Sequence, residues 1–517
     1  MGVAHLPLAH WPSNERRTLV GAALALLGAF VFLASWGSAV LHIQRGFGAG
    51  PDGEMLLRQL PDIAALLLVP SIGAFGPRMS TFRLTVFAAV GMGVGSVLMV
   101  LAPSLAVLVA GMCVVSAGRA TIGVLAVAAV GSVVQGDTRR AKAFALLGAV
   151  PPIAFITVPL LAGWLVDLGG WRLVGVIWLA SAALVIAAAG LLRSTDKPSD
   201  TAPRKEPWTP IVAGITLVGL VQWVSACSTD GAFTRLAGAW LAVTVVAAAV
   251  WFALARALTD PSLDGRMLRA PGLMPVLLVI MVSQCGELWF YVGALVHFAY
   301  RYSALQTALW LLPAQLCSLL GPWVAGRLVP RLGISKSGTL LMAVFTVSMF
   351  ASCTVTLDTP VWVPVVMLSL ASVGEYGSGV ALTQTVMQCA PEGGSRQISS
   401  YRSAFSSIGN ALTLLLVAFS VRGTMGDSMR AKAEAEGLPR EKVEALVKAV
   451  RANRPSAEVG HTIGLDDEGV ADLREVRRGI ILEGFRAHGA VSGAVLALAT
   501  VGFWWVRRDA SASKAPA

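Results

Sequence analysis

Apolar segments recur along the whole chain, and their length constrains the fold more than any other feature. A helix of about 20 apolar residues crosses the hydrocarbon core of a bilayer, whereas a membrane barrel needs short alternating strands, a pattern that this sequence does not show. The sequence therefore predicts an all-α, multi-pass membrane protein. Window length predicts about fourteen transmembrane helices, at residues 18–42, 54–75, 84–102, 106–130, 143–166, 173–192, 209–226, 236–257, 273–297, 304–328, 338–357, 361–386, 402–421 and 480–506.

The composition agrees with this fold class and excludes several functions. Of the 517 residues, 56% are hydrophobic and 13% are charged, against about 25% charged residues in soluble domains. The net charge of +11 comes mostly from short connections between spans, so we expect contact with a lipid bilayer and no nucleic-acid partner. The sequence shows no metal-binding cysteine spacing, no Walker loop and no catalytic Ser/His/Asp or H-E-x-x-H arrangement. We therefore predict no metal site, no cofactor and no enzymatic activity.

The basic residues of the short connections predict the orientation. They fall on the same side as both termini, and the opposite side carries only isolated charges. The positive-inside rule assigns that side to the cytoplasm, which predicts a protein of the bacterial cytoplasmic (inner) membrane with both termini cytoplasmic. The basic positions are 78, 83, 139, 140, 142, 193–205, 266, 269, 331, 336, 396, 507 and 508.

A charged segment at residues 422–479 lies on the outer side in this assignment. Long loops cross the membrane largely regardless of their charge, so the segment does not change the orientation. Residues 443, 446, 447 and 450 share one helical face, which favours an amphipathic helix that caps the outer mouth. A solvated spacer between two spans is the alternative.

Two short motifs occur twice, about 250 residues apart. The segment 73–80 resembles 326–333, and 116–123 resembles 372–379, which aligns Arg119 with Glu375. Secondary transporters are built from such repeats, with the site at the interface of the repeats. We therefore predict two pseudo-symmetric six-helix halves plus two inserted helices, in the domain order 1–192, 193–271 (linker, inserted helices and cytoplasmic loop) and 272–517.

The order and spacing of these motifs resemble the major facilitator superfamily, specifically its fourteen-helix drug:proton antiporter branch, over nearly the whole chain. The resemblance implies a monomer whose two halves rock about a central cavity and export a small amphipathic or cationic compound against inward proton flow. The matching positions are Gly73 and Arg78 after the second helix, their repeat equivalents Gly326 and Arg331, Arg119 and Gly123 on the fourth helix, and Pro159 and Gly163 on the fifth.

The sequence departs from the family pattern at three places. Pro77 and Pro330 replace the aspartate of the loop motif in the two halves. The first span lacks the acidic residue of the branch in the stretch 34–43, and Val158 and Ala162 replace two glycines of the antiporter signature. The runner-up function is therefore a transporter of the same fold for a lipid, metabolite or natural product, without proton coupling. A non-transporting scaffold is the third class.

Ionisable residues within the spans are the candidate proton-coupling groups: Asp62, Glu287, Glu375 and Arg119. A charge at membrane depth is tolerated when it faces the bundle interior or a wet cavity. A carboxyl group removed from water holds a proton more readily, so it can carry one from side to side. Asp62 is the leading substitute for the acid missing from the first span. A structural carboxyl group is the alternative for each acid, and Arg119 either tunes a carboxylate or bonds carbonyl groups.

Three aromatic residues flank the two glutamates: Trp289, Tyr291 and Tyr376. Aromatic faces attract cations, so these residues are candidates for the surface of the substrate cavity. Lipid-facing packing is the alternative for each of them.

The remaining motif residues are expected to act in gating. Pro159 and Gly163 would kink the fifth helix and permit close helix approach. The basic loop residues Arg78 and Arg331 would anchor cytoplasmic loops or, as the sharper alternative, form a latch between the halves.

Overall fold

In the computed structural model the described residues are mainly α-helical. The structure describes residues 11–48, 51–74, 79–193, 206–229, 233–258, 262–263, 265–286, 288–302, 304–391, 394–435 and 467–512, and these ranges contain no strand. The all-α fold class is thus confirmed for the part of the chain that the structure describes. The helices are α1 Ser13–Phe47, α2 Pro51–Ala74, α3 Thr81–Val100, α4 Leu105–Val133, α5 Asp137–Gly169, α6 Val174–Leu191, α7 Trp208–Thr229, α8 Arg235–Ala257, α9 Leu273–Ser283, α10 Trp289–Ala294, α11 Ala304–Ala351, α12 Trp362–Gln388, α13 Ser395–Ala435 and α14 Asp467–Ala512.

Three predicted spans have different boundaries in the structure. The spans predicted at 304–328 and 338–357 lie in one stretch, α11, which Gly333 interrupts with φ 80° and ψ 163°. A positive φ is readily adopted only by glycine, so α11 consists of two helices joined at that residue. The span predicted at 273–297 is broken, because a 3-10 turn at Gln284–Gly286 follows α9.

Eleven stretches among the described residues are long and apolar enough to cross a membrane. One of them, Gln306–Thr354, has 49 residues and contains the break at Gly333. The apolar part of α2, Gln59–Ala74, is shorter, and α13 is not among the eleven. The structure confirms a multi-pass helical protein, and the number fourteen stays a prediction.

Polar side chains cap the N-termini of several helices. The Ser80 hydroxyl accepts a hydrogen bond from Arg83 N at the start of α3, and Ser104 does the same for Val107 N at the start of α4. Thr234 caps α8 in the same way. Each cap satisfies a backbone N–H that the first helical turn leaves without a partner.

Glycines let neighbouring helices approach closely. A Cβ atom on Gly95 of α3 would lie 2.6 Å from the Gly111 carbonyl oxygen of α4, and a Cβ on Gly111 would lie 2.7 Å from the Gly95 carbonyl oxygen. Both positions therefore require the smallest residue, and the gain is backbone-to-backbone packing, which is a main source of helix association in lipid.

Helices α1–α6 and α9–α14 form two groups with the same pattern of neighbours. In the first group α1 packs against α4, α5 and α6, α4 packs against α2 and α3, and α3 packs against α6. In the second group α9 packs against α12, α13 and α14, and α11 packs against α12 and α14. The patterns correspond if the two parts of α11 take the places of α2 and α3. This correspondence supports the predicted repeat, and the domain boundaries stay a prediction.

Hydrogen bonds join the segment before α7 to the segment before α9. The Glu206 carboxylate accepts hydrogen bonds from Trp208 N at 2.6 Å, Thr209 N at 2.9 Å and Ser262 N at 3.1 Å, and also from the Thr209 hydroxyl. The Ser262 hydroxyl donates to the Glu206 carbonyl oxygen. Burial opposes ionisation, but the hydrogen bonds outweigh it and lower the pKa of Glu206. Glu206 therefore caps α7 and holds Ser262 beside it.

We expect Glu206→Gln to lower the free energy of unfolding of the purified protein at pH 7 by about 1 kcal/mol, which is the typical contribution of a helix N-cap. Because the native pKa lies below the unfolded one, the carboxylate stabilises the fold fully above the unfolded pKa and loses this effect as the pH falls through the native pKa. The difference between the two proteins should shrink below about pH 4. Thermal unfolding at several pH values measures it, with the exposed Asp167→Asn as control, and a difference that persists at low pH would contradict the assignment.

Candidate functional site

Arg119 lies in the interior of the first group, near the middle of α4. Protein surrounds its side chain, which nevertheless keeps some accessible surface. Its Nε atom is buried and has no hydrogen-bond partner among the described residues. Asp62 of α2 is in electrostatic contact with it. The structure thus brings together two of the predicted candidates, whose opposite charges favour each other at membrane depth.

Glu375 occupies the corresponding position of α12 in the second group. It is half-buried, as is the neighbouring Tyr376. The structure also shows open space one turn beyond each of the two charged residues. A Cβ on Gly123 of α4 or on Gly379 of α12 would meet no heavy atom within 4 Å. The repeat motif therefore places a charged side chain and a bare stretch of backbone beside open space in each group.

The aromatic candidates have different surroundings. Tyr291 of α10 is 2% exposed and packs against α14, with its ring centroid 4.7 Å from that of His488 and 6.4 Å from that of Phe485. Trp289 is half-buried and packs against the apolar cluster that contains Tyr291 and Phe485. Glu287 lies outside the described residues. The role of these residues in substrate contact stays a prediction.

The sequence interpretation missed Arg402, which lies on α13 and reaches across to α12. Its Nε donates to the Thr383 hydroxyl oxygen at 3.0 Å. A signal was present in the polar residues that recur every three or four positions along α13, at 399, 402, 406 and 410. The apolar window placed Arg402 at the first residue of a span, where an arginine is expected to reach the membrane surface.

The motif glycines Gly73 and Gly326 lie at contacts between the two groups. A Cβ on Gly73 of α2 would lie 2.9 Å from the Cβ of Ser400 on α13. A Cβ on Gly326 of α11 would lie 3.0 Å from the Cβ of Ala145 on α5. The loop motif thus has a physical reason in each half, because only a small residue permits the halves to meet there.

Gly163 does not behave as predicted, although its neighbour Pro159 lies at a helix contact. The Ser38 hydroxyl of α1 donates to the Pro159 carbonyl oxygen at 3.3 Å. A Cβ on Gly163 would meet no heavy atom within 4 Å. The close helix approach predicted at Gly163 is therefore wrong, since the residue borders open space.

Hydrogen bonds join the two groups at the end of the bundle that carries the α2–α3 and α4–α5 connections. The Ser399 hydroxyl of α13 donates to Val124 O of α4 at 2.9 Å, and the Ser400 hydroxyl donates to Val69 O of α2 at 2.5 Å. The side-chain amides of Gln384 and Gln388 on α12 both donate to Asp137, at 3.0 and 2.8 Å. These contacts close that end of the bundle.

Arg396 forms the charged part of this closure. It is 8% exposed at the start of α13, where its two Nη atoms donate to Met79 O and to the Thr81 hydroxyl, each at 2.7 Å. Arg78 lies outside the described residues, and Arg331 is exposed. The latch therefore comes from the second group, as a guanidinium that holds the α2–α3 connection.

We expect Arg396→Gln to shift the conformational equilibrium toward opening at this end. Hydrogen bonds to a charged group contribute about 1.5 to 3 kcal/mol each, which corresponds to at least about a tenfold change in population. Double electron–electron resonance spectroscopy, with spin labels attached at positions 83 and 336, would show a new population with a longer distance between the two labels. Arg269→Gln, which alters an exposed arginine, should leave the distances unchanged. If Arg396→Gln also leaves them unchanged, the closure does not depend on Arg396.

Comparison with known sequences gives matches over most of the chain. Residues 18–414 match the family described as the Major Facilitator Superfamily. The multidrug resistance protein Stp of Mycobacterium tuberculosis is 24% identical over 514 residues, covering 95% of this chain and 92% of the relative. The drug efflux pump JefA of the same organism is 22% identical over 428 residues, covering 80% and 82%. The methyl viologen resistance protein SmvA of Salmonella typhimurium is 22% identical over 490 residues, covering 90% and 94%.

Solved structures are similar in fold. A bacterial homologue of the iron transporter ferroportin, in its outward-facing state, gives a TM-score of 0.59 at 14% identity, covering 96% of this chain and 99% of its own. The proton:xylose symporter XylE gives a TM-score of 0.56 at 12% identity, covering 95% and 94%. Both neighbours are transporters, and at these identities the likeness concerns the fold alone.

Proposed function

The chain belongs to the major facilitator superfamily, whose members are transporters of small molecules and not enzymes, and we propose that it is a secondary active transporter that exports a small amphipathic compound in exchange for protons. The observation that carries the proposal is the electrostatic pair of Asp62 and Arg119, one turn from the open space at Gly123. The names of the relatives, which refer to multidrug resistance and drug efflux, support export as the direction.

Proton coupling follows from how the pair would respond to a proton. Asp62 is stabilised as a carboxylate by the nearby guanidinium, and protonation would remove that attraction. Arg119 would then lose the attraction of its acidic partner, and its Nε, which has no hydrogen-bond partner in the described part of the chain, could donate to another acceptor. Proton binding and substrate binding would therefore compete at one place, which is the requirement of an antiporter. Glu375 is the equivalent candidate in the second half, and Glu287 stays a candidate on its sequence position.

Transport would proceed by rocking of the two halves. In the described state the end that carries the α2–α3 connection is closed by Arg396 and its neighbours. We assign that end to the cytoplasm of a bacterial inner-membrane protein, because the basic connections lie there. Counting α2, α13 and both parts of α11 as spans gives the fourteen helices of the proposed topology, in two six-helix halves at 1–192 and 272–517.

A transporter of the same fold without proton coupling, for a lipid, metabolite or natural product, is the second candidate. It is favoured by the absence of an acidic residue in α1 between residues 34 and 43, where the antiporter branch usually carries one. Under this candidate, Asp62 would neutralise Arg119 permanently, and the pair would serve only to stabilise the fold.

We expect Asp62→Asn to abolish proton-coupled export and Glu375→Gln to reduce it at least about tenfold, because a neutral amide cannot carry a proton. Inverted membrane vesicles would be energised and tested with a panel of amphipathic dyes, each followed by its own fluorescence with and without a protonophore. Asp358→Asn, an exposed acid between α11 and α12, is the matched control and should behave like the unaltered protein.

The protonophore separates the two candidates. Dye accumulation that survives it in the unaltered protein would refute proton coupling and favour the second candidate. Full export by both Asp62→Asn and Glu375→Gln would refute their role as carriers, even if coupling itself were retained.

A further inference from the structure

Arg402 is a buried arginine with no part in the proton pathway proposed above. Protein surrounds it, yet its side chain keeps accessible surface, so it borders an internal space. Among the described residues, its hydrogen-bond partner is the Thr383 hydroxyl, 3.0 Å from Nε. A hydroxyl group is neutral. The bond therefore fixes the orientation of the guanidinium and leaves its charge and its outer N–H groups available.

The acidic residues that the structure describes nearby do not neutralise this charge. No carboxylate in the described ranges is in electrostatic contact with Arg402. Asp62 is in contact with Arg119 instead. Glu375 precedes Thr383 by about two turns of α12, roughly 12 Å along the helix axis. A guanidinium held at membrane depth without a counter-charge is costly unless an anion or water approaches it.

The space beside Arg402 is polar and open. Gly379 lies on α12 one turn before Thr383, and a Cβ there would meet no heavy atom within 4 Å. Ser406 and Asn410 follow Arg402 by one and two turns of α13 and therefore lie on the same side of that helix. Ser406 is half-buried and Asn410 is exposed. Hydroxyl and amide groups thus line the approach to the guanidinium.

We propose that this pocket, formed by Arg402, Thr383, Gly379, Ser406 and Asn410, binds the acidic group of an amphipathic organic anion. A planar guanidinium with free N–H groups pairs with a carboxylate, sulfonate or phosphate group through two parallel hydrogen bonds. The apolar part of the ligand would extend along the cavity toward Glu375. This inference names the substrate class and rests on the proposed transport function, since it places the pocket on the substrate path.

The test measures the local charge with a thiol reporter. The six native cysteines are replaced, and Ser406→Cys supplies the only thiol, one turn from Arg402. The purified protein is treated with two methanethiosulfonate reagents of similar size, one bearing a sulfonate group and the other a trimethylammonium group. Each forms a mixed disulfide with the thiolate and releases methanesulfinate, and mass spectrometry gives the rates.

We expect the sulfonate reagent to react faster than the ammonium reagent. The ratio of the two rates should fall about tenfold when Arg402→Gln is added, because a fixed charge concentrates the opposite ion in a confined cleft. Arg402→Lys should keep most of the preference. Arg327→Gln is the matched control, since that arginine lies over the Trp323 ring on the exposed side of α11 and should not alter the ratio.

Three outcomes would overturn the proposal: no reaction with either reagent, a preference for the ammonium reagent, or a ratio that Arg402→Gln does not change. The measurement requires no transport. If the export assay fails and the sulfonate preference is found, the proposed function is refuted and the anion pocket is supported. If export is found and the sulfonate preference is not, the anion pocket is refuted and the proposed function is retained.

Discussion

The cost of placing charge in lipid governs the arrangement of this protein. A bilayer core offers no water to an ionised side chain, so each such group must find an opposite charge, a polar partner or an internal wet space. The described structure uses all three solutions. Asp62 and Arg119 provide opposite charges, Thr383 provides a polar partner for Arg402, and open space lies beside Gly123 and Gly379. In each helix group the buried charges therefore lie where two helices meet, α2 with α4 in the first group and α12 with α13 in the second.

The seam between the two helix groups needs small residues and accessible backbone carbonyl groups where it closes. Gly73 and Gly326 permit helices of opposite groups to touch, and Arg396, Ser399 and Ser400 donate to backbone carbonyl groups across the contact. Bonds to backbone depend on helix position more than on the partner's side chain. The closed end can therefore form and break as two rigid bodies move, because few side chains need to repack.

Sequence patterns predicted the fold class well and the site only in part. Apolar length located most helices, because the bilayer imposes that length on every span. It could not locate the joint at Gly333, since a single residue in an unusual conformation leaves the hydropathy of its neighbours unchanged. The electrostatic contact of Asp62 with Arg119 and the reach of Arg402 to α12 depend on how helices rotate against one another. Hydropathy records only how apolar a helix is, so these contacts, and the open space at Gly163, required the structure.

The bond between Glu206 and Ser262 has an architectural consequence. It brings together a residue before α7 and a residue after α8, so these two helices form a hairpin whose two ends lie side by side. A chain that ran directly from Glu206 to Ser262 would therefore leave the path of the other helices unchanged, because these two residues already lie within hydrogen-bonding distance.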